Sequence, residues 1–187
     1  MSDVWKRIIA WFVANVPAKH YFFAAGATEE EIRAAESRMK LRFPDDLRES
    51  YLLHNGMDDN EGHAFVDSYQ LLSLAGIITY WKMAEGALEY LELESQPNKM
   101  YPEPNCPVKN QMWNLQWIPI LDAEGEKIQI DLDPAPGGKI GQVIDTSCCG
   151  YQVLAGSFRE FMAQYADDLE AGKYAFDESW NIARINE

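Results

Sequence analysis

The sequence predicts an α+β domain in which helices pack against a mainly antiparallel sheet. Up to Leu93 the apolar residues recur at helical spacing, and from Trp117 onward they alternate at the two-residue spacing of a strand. The strand-like runs follow one another through short turns, without the alternation of strand and helix that a parallel sheet requires. A last segment, residues 157–170, returns to helical spacing and adds a late helix.

An amphipathic helix is expected over residues 2–16. Its apolar stripe consists of Trp5, Ile8, Ile9, Phe12 and Val16. Because the stripe continues past Lys6 and Arg7, we expect a helix that packs on the body of the domain, and not a cleaved signal peptide. The apolar run is also shorter than the roughly 20 residues that a membrane span needs.

Two short helices are expected next. Thr28 and Glu31 have the spacing of a capping box, in which each side chain accepts a hydrogen bond from the other residue's backbone amide. Pro44 suits the first position of the second helix, which should cover about residues 44–54. The Asn-Gly pair at 55–56 predicts the end of that helix.

A longer helix and a long loop follow. Ile77, Trp81 and Ala84 keep helical spacing within residues 71–93, which predicts a helix there. Residues 96–112 are rich in proline and asparagine and show no periodicity, so we expect a loop. Long loops in compact domains are often functional.

Residues 127–144, KIQIDLDPAPGGKIGQVI, predict two strands joined by a Pro-Gly turn. Asp131 and Asp133 share one strand face, which we expect to be solvated because half-buried strands alternate between the core and water. A phosphate cradle is disfavoured because Gly137 and Gly138 precede a strand and not a helix. The two aspartates would hold a hard cation only if several more oxygen ligands converged there.

The end of the chain should return to the domain. Ser157 and Glu160 repeat the capping-box spacing, so a helix is expected to run to about Glu170. The tail, residues 173–187, is aromatic enough to pack back on the body. We therefore expect the whole chain, residues 1–187, to form one domain.

The net charge limits the choice of partner. Thirty acidic residues against sixteen basic ones give a formal charge of −14. Such a surface repels nucleic acid and anionic membrane and favours a basic protein partner. We expect a protein partner, and neither nucleic acid nor a membrane.

Cysteines and histidines give no support for a cofactor or a metal. Cys106, Cys148 and Cys149 form no Cys-x-x-Cys pair, and the three histidines are scattered. Free thiols are typical of a reducing compartment, so we expect a cytoplasmic protein. His54, just before the Asn-Gly stop, should interact favourably with the helix dipole.

No catalytic residue is predicted, since no histidine stands beside a nucleophile in a recognisable motif. Carboxylates in loops remain as candidates for a carboxylate- or metal-dependent hydrolase, because paired carboxylates can act as acid and base. The same residues are our candidates for partner contact, since loops on a fixed scaffold often carry recognition. They are Asp58, Asp59, Glu61, Asp122, Glu124 and Glu126.

Four segments in order resemble one known family. They are GATEEEIRAAESRMKLRFPDDLRESYLLHNG, LLSLAGIITYW, WIPILDAEGEKIQIDLDPAPGGKIGQVI and VLAGSFREFM, which together span roughly residues 26–165. The chain resembles the SUKH superfamily, and within it the group named for the fungal Smi/Knr cell-wall synthesis regulators. The helix at 2–16 and the loop at 96–112 lie outside the shared motif.

The resemblance implies a non-enzymatic α+β binding domain without catalytic residues. Bacterial members are largely regarded as immunity proteins that neutralise a toxin, often a nuclease, and fungal members act as interaction hubs in cell-wall signalling. The leading hypothesis is therefore a bacterial immunity protein, and the alternative is an intracellular scaffold of the cell-wall regulator type. Motif positions expected to be structural are Leu53, Asn55, Gly56, Trp81, Trp117, Pro119, Asp131, Asp133, Pro134, Gly137 and Gly138.

Overall fold

A computed structural model describes residues 1–57, 64–99, 105–147, 150–177 and 181–185. The helices are α1 (Ser2–Asn15), α2 (Glu29–Met39), α3 (Asp45–Leu53), α4 (Leu74–Leu93) and α5 (Phe158–Glu170). The strands are β1 (Gln70–Leu71), β2 (Trp117–Ala123), β3 (Glu126–Asp131), β4 (Gln142–Asp145), β5 (Gln152–Ala155), β6 (Tyr174–Phe176) and β7 (Ile182–Arg184).

The main sheet has the order β1-β2-β3-β4-β5, and every neighbouring pair is antiparallel. Ile130 on β3 lies opposite Ile118 on β2 and Val143 on β4, so these apolar side chains share one face. Strands β6 and β7 form a separate hairpin. The predicted α+β class with a mainly antiparallel sheet is confirmed.

The two predicted capping boxes, at the starts of α2 and α5, differ in the structure. At α2 the capping box is complete, since Thr28 Oγ1 accepts from the Glu31 amide at 3.2 Å and Glu31 accepts from the Thr28 amide at 2.7 Å. At α5 the Ser157 side chain accepts from the Glu160 amide, but the Glu160 carboxylate accepts from the amide of Gly156. The prediction of a second complete capping box is therefore wrong, although the helix begins where expected.

Helix α1 is part of the main core. Trp5, Ile8, Phe12 and Val16 of the predicted stripe are buried, Ile9 is half-buried, and Val4, which was not predicted, is buried as well. Trp5 Nε1 donates a hydrogen bond to Ser50 Oγ on α3 at 2.9 Å, which satisfies the buried indole N-H. The described tail also packs back as expected, because Tyr174 and Ile182 belong to the same core.

Both faces of the central strands are covered. One face carries Ile118, Ile130 and Val143, which pack in the main core with the helices. On the opposite face Trp117 and Ile144 join Val108 and Tyr151 in a second, smaller cluster. Residues from the loop before β2 thus form a lid over the outer face of the sheet.

The predicted solvated face at Asp131 and Asp133 is wrong for Asp131. Its relative exposure is 0%, because the second cluster covers the end of β3. Asp133, two residues further on, is about one-third exposed and forms an ion pair with Lys109. Alternation predicted correctly which face Asp131 lies on, but that face is not open to water.

The described ranges contain no helix with both the length and the apolarity needed to cross a membrane. The long helix α4 carries several glutamates along its course.

His54, which caps the C-terminal end of α3, does not behave as a dipole-stabilised cation. Its ring centroid lies 4.8 Å from that of Trp5 and 5.8 Å from that of Phe23. Burial lowers the pKa of His54, and this outweighs the contact with the Ala24 carbonyl, which raises it.

This lowered pKa predicts acid sensitivity. The unfolded chain binds a proton at His54 more tightly than the folded chain, so stability from this site is present above about pH 6.5 and lost as pH falls through the folded pKa. We expect His54→Gln to lose less unfolding free energy than the wild type between about pH 8 and about pH 5. Urea denaturation at both pH values measures this. Equal losses of unfolding free energy in the two proteins would show that His54 is not the source of the acid sensitivity.

Candidate functional site

A groove of about 250 Å³ lies between α4 and the outer face of the sheet. Helix α4 forms one wall with Tyr80 and Trp81, and the loop before β2 forms the other with Trp113. The floor comes from β2 and β3, including Trp117 and Gln129. The surface of the groove is therefore rich in aromatic side chains.

Two of the aromatic side chains that line the groove use their polar atoms to bind other parts of the protein. Trp81 Nε1 donates to the carbonyl of Leu115 at 2.9 Å. The hydroxyl of Tyr151 donates to the carbonyl of Gln111 at 2.8 Å. These bonds also fix the loop to the helix and the sheet, so the groove is formed before any ligand arrives.

The floor depends on the buried carboxylate of Asp131. It accepts hydrogen bonds from Trp117 Nε1 at 3.0 Å, from Gln142 Nε2 at 3.0 Å and from the Asp133 amide at 2.8 Å. Burial raises the pKa of Asp131, and the three donors oppose that shift. Gln142 Nε2 also donates to the carbonyl of Pro107 at 3.0 Å, which ties the loop to the same centre.

Gln129 is a polar residue of the groove floor. Gln129 Nε2 donates to Thr146 Oγ1 at 2.8 Å, and this hydroxyl donates in turn to the carbonyl of Lys127 at 3.1 Å. Gln129 Oε1 has no hydrogen-bond donor among the described residues. Gln129 Oε1 is thus an acceptor without a described donor on a residue that lines the groove.

The β2–β3 hairpin closes one end of the groove and carries three of the predicted contact residues. Asp122 accepts from the Tyr80 hydroxyl at 2.8 Å and from Lys127 Nζ at 2.8 Å, so its carboxylate is already bound. Glu124 is exposed at the turn, and Glu126 lines the groove. The other three predicted contacts, Asp58, Asp59 and Glu61, lie outside the described residues.

Lys127 contributes a cation–π contact at this end. Its Nζ lies 4.2 Å from the centroid of the Tyr80 ring and also pairs with Asp122. Both charged side chains are only 12% exposed, so they exclude water from the end of the groove. The ion pair is internal to the wall and does not add a free charge to the site.

Several motif positions hold turns next to the groove or α4. A Cβ on Gly138 would lie 2.7 Å from the carbonyl oxygen of Pro107 and 2.6 Å from Pro134 Cβ, so a larger residue would displace the loop. Gly56 has a φ of +77° and packs against the Leu72 backbone, where a side chain would be strained. Asn55 Oδ1 accepts from the first amide of α4, that of Leu74, at 2.9 Å.

The remaining motif positions lie along the same elements. Pro119 lines the groove at a register irregularity of β2. Gly137 has a φ of +92° in the Pro-Gly turn. Leu53, at the end of α3, is 36% exposed.

This arrangement suits binding more than catalysis. The groove is smaller than the roughly 300–1,000 Å³ of pockets that enclose a drug-sized ligand or cofactor, so it accommodates one or a few side chains. Within the described ranges no three histidine, cysteine or acidic side chains are grouped closely enough to hold a metal ion. Asp131 and Asp133, the motif carboxylates, are held by the protein's own donors.

Sequence reasoning missed most of the groove residues. Tyr80, Trp113, Lys127, Gln129 and Tyr151 were not among the predicted contacts. Trp113 offered a signal, since a tryptophan in a segment without periodicity has no helix or strand stripe to join. The acidic hairpin residues lie at the end of the groove, but the aromatic walls came from elements whose proximity the sequence did not reveal.

Residues 26–164 match the model of the SMI1 / KNR4 family (SUKH-1). The chain belongs to this family. The match begins after α1 and ends within α5, and it includes α4, the central sheet and both walls of the groove. The predicted family membership is confirmed.

Fungal members of the SMI1 / KNR4 family are similar over nearly the whole chain. The chain is 29% identical over 201 residues to the cell wall biosynthesis/cell cycle regulator smi1 of Schizosaccharomyces pombe, covering 99% of this chain and 39% of that protein. It is 25% identical over 208 residues to the cell wall assembly regulator SMI1 of Saccharomyces cerevisiae, covering 91% and 40%. The chain thus spans about two-fifths of the length of these relatives.

A bacterial protein aligns with less of the chain. The uncharacterized protein YnaB of Bacillus subtilis is 26% identical over 111 residues, which cover 59% of this chain and 73% of that protein. The similarity to the two fungal regulators thus reaches further along the chain than the similarity to this bacterial protein.

The Asp131 centre predicts a contrast between two neighbouring substitutions. Asp131→Asn places an amide N-H₂ among three donors and should destabilise the fold by about 1–3 kcal/mol. Asp133→Asn, the matched control, weakens a part-exposed ion pair with Lys109 and a hydrogen bond from Asn114, and should cost less than about 1 kcal/mol. Urea unfolding monitored by tryptophan fluorescence compares them. Equal stability of the two variants would contradict the role given to Asp131.

Proposed function

We propose that this chain is a non-enzymatic interaction domain of the cell-wall regulator type, which binds a partner protein through the aromatic groove. The observation that carries the proposal is the groove itself, which aromatic residues of α4 and the loop before β2 line together with Gln129, whose Oε1 has no described donor. Aromatic residues in preformed depressions are typical anchors of protein interfaces.

The regulator hypothesis has better support than the immunity hypothesis. The fungal relatives named above are called cell wall regulators, and their similarity extends over 91% or more of this chain. Neither of those names describes the neutralisation of a toxin. The acidic charge does not separate the two hypotheses, because either kind of partner can be basic.

The hydrolase alternative has little support from the motif carboxylates. Asp131 is buried beneath Trp117 and accepts three hydrogen bonds, so it is closed to substrate and water. Asp133 is bound by Lys109 and Asn114. A catalytic pair would need two carboxylates that face one open cleft. No relative named above carries the name of an enzyme.

The groove favours an extended segment of a partner protein. A backbone N-H of such a segment would donate to Gln129 Oε1, while an apolar side chain would pack against Trp113 and the ring of Tyr80. The groove volume of about 250 Å³ suits one anchoring side chain and not a whole helix. Because the hairpin end carries Glu124 and Glu126, a basic residue next to the anchor would be favoured.

Photo-crosslinking tests the groove directly. A benzoylphenylalanine in place of Met112, which is 44% exposed at the rim, should crosslink a partner protein in living cells. The same group in place of Val13, which is 64% exposed on α1, is the matched control and should not crosslink that partner. Adding Trp113→Ala should lower the yield at position 112 by more than about tenfold, since loss of an anchor costs at least about 2 kcal/mol.

An unchanged yield in the Trp113→Ala background would contradict the groove as the binding site. The same partner captured from both positions would indicate non-specific contact. Circular dichroism melting of each variant checks that the fold is retained.

A chimera tests the regulator type. The matching segment of the Schizosaccharomyces pombe smi1 regulator is replaced by this chain, and growth is scored on a medium that stresses the cell wall. We expect the chimera to restore growth of a strain that lacks the regulator, and a Trp113→Ala chimera at equal abundance to fail. Equal growth of both chimeras would show that the regulator role does not require the groove. Protection against a toxin without rescue would favour the immunity hypothesis instead.

A further inference from the structure

Helix α4 carries an exposed apolar stripe on a side different from the groove. Along the stripe Thr79, Met83, Gly86, Tyr90 and Leu93 follow one another at alternating spacings of four and three residues. This is the spacing of a seam that packs against another helix. Met83, Tyr90 and Leu93 are 58%, 62% and 82% exposed, so no described part of the chain covers them.

The shape of the stripe suits helix packing. Gly86 lies between Met83 and Tyr90, and a Cβ placed on it would meet no atom within 4 Å. The small residue leaves a depression between two large side chains, into which a side chain of another helix can fit. The stripe extends over about four turns at 3.6 residues per turn, enough for two anchoring residues on each side.

The charge beside the stripe determines the kind of helix that fits. Residues 86–95, along the C-terminal part of the stripe, contain three glutamates and neither lysine nor arginine, whereas Lys82 lies next to Met83 at its N-terminal part. Glu89 and Glu94 border the stripe, and neither forms an ion pair with a described residue, whereas Glu85 on the same helix pairs with Arg38 at 3.5 Å. The free carboxylates would be matched by basic residues flanking an apolar face.

A second copy of the chain fits poorly. An antiparallel pair of α4 helices centred on Gly86 would place Glu89 opposite Met83, whereas a parallel pair would bring every glutamate next to its own counterpart. Like charges at such positions are destabilising. The formal charge of −14 on each copy adds to this repulsion.

We propose that the outward stripe of α4, Thr79 to Leu93, binds a basic amphipathic helix of a partner protein. The proposal extends the proposed function to a second surface and does not depend on the groove, because Tyr80 and Trp81 face the groove from other sides of the helix. Apolar anchors of the partner would lie against Met83, Tyr90 and Leu93, and its lysines or arginines would lie beside Glu89 and Glu94.

The test uses the full chain and a fluorescent synthetic peptide of about three heptads, with leucine at positions a and d and lysine or arginine at e and g. A scrambled peptide of the same composition keeps the charge but has no apolar face. We expect the amphipathic peptide to bind at least about tenfold more tightly than the scrambled peptide in fluorescence anisotropy. Equal binding of the two peptides would show that net charge alone explains the interaction, and would overturn the proposal.

Substitutions locate the binding surface. Tyr90→Ser with Leu93→Ser should weaken peptide binding at least about tenfold, and because both residues are exposed the fold should be retained. Val13→Ser, an equally exposed apolar position on α1, should leave the affinity unchanged. Unchanged affinity in the Tyr90 and Leu93 variant would overturn the proposal.

Two further measurements separate this surface from its alternatives. Trp113→Ala should not affect peptide binding, so failure of the groove hypothesis would leave this result intact. Sedimentation of the free chain should show a monomer at the concentrations used. A dimer that the Tyr90 and Leu93 substitutions dissociate would show that a second copy occupies the stripe, and would overturn the assignment of a basic helix.

Discussion

The buried carboxylate of Asp131 is the interaction on which the outer half of this domain depends. Three donors from β2, β4 and the start of the Pro-Gly turn converge on it, and Gln142 extends the contact to the carbonyl of Pro107. A buried charge that has no contact with water is tolerated only where hydrogen-bond donors surround it. The segment before β2 is therefore held on the sheet at a fixed place, and that place forms one wall of the groove.

Local signals predicted the elements well, because their physics is local. The Thr28 capping box sets the start of α2 whatever surrounds it, and it is complete. Helix α3 instead ends at Leu53, with His54 already extended, so it ends before the Asn-Gly pair. Strand alternation predicted which side chains of β3 share a face. It did not predict that the second face is covered, since the cover comes from a segment without periodicity whose packing is decided by distant partners such as Tyr151 and Gln142.

The candidate site was less predictable than the fold for the same reason. The acidic hairpin of Asp122, Glu124 and Glu126 was chosen from sequence as a contact surface, and the structure places it at the end of the groove, with Asp122 bound by Tyr80. The aromatic walls come from α4 and the loop, which are far apart in sequence. Trp113 and Gln129 are neither charged nor typical catalytic residues. Their place in the groove depends on neighbours that are distant in sequence, so residue type alone does not identify them.

Gly86 also affects the local unfolding of α4. Burial on this helix is concentrated in Leu74, Ile77 and Trp81, and glycine costs about 1 kcal/mol of helix stability just where that burial ends. The last two turns are therefore the least protected part of α4 against local unfolding and amide hydrogen exchange. A helix that covers them must first suppress this fraying, so part of its interaction energy goes into ordering Tyr90 and Leu93, and its affinity becomes sensitive to helix propensity at position 86.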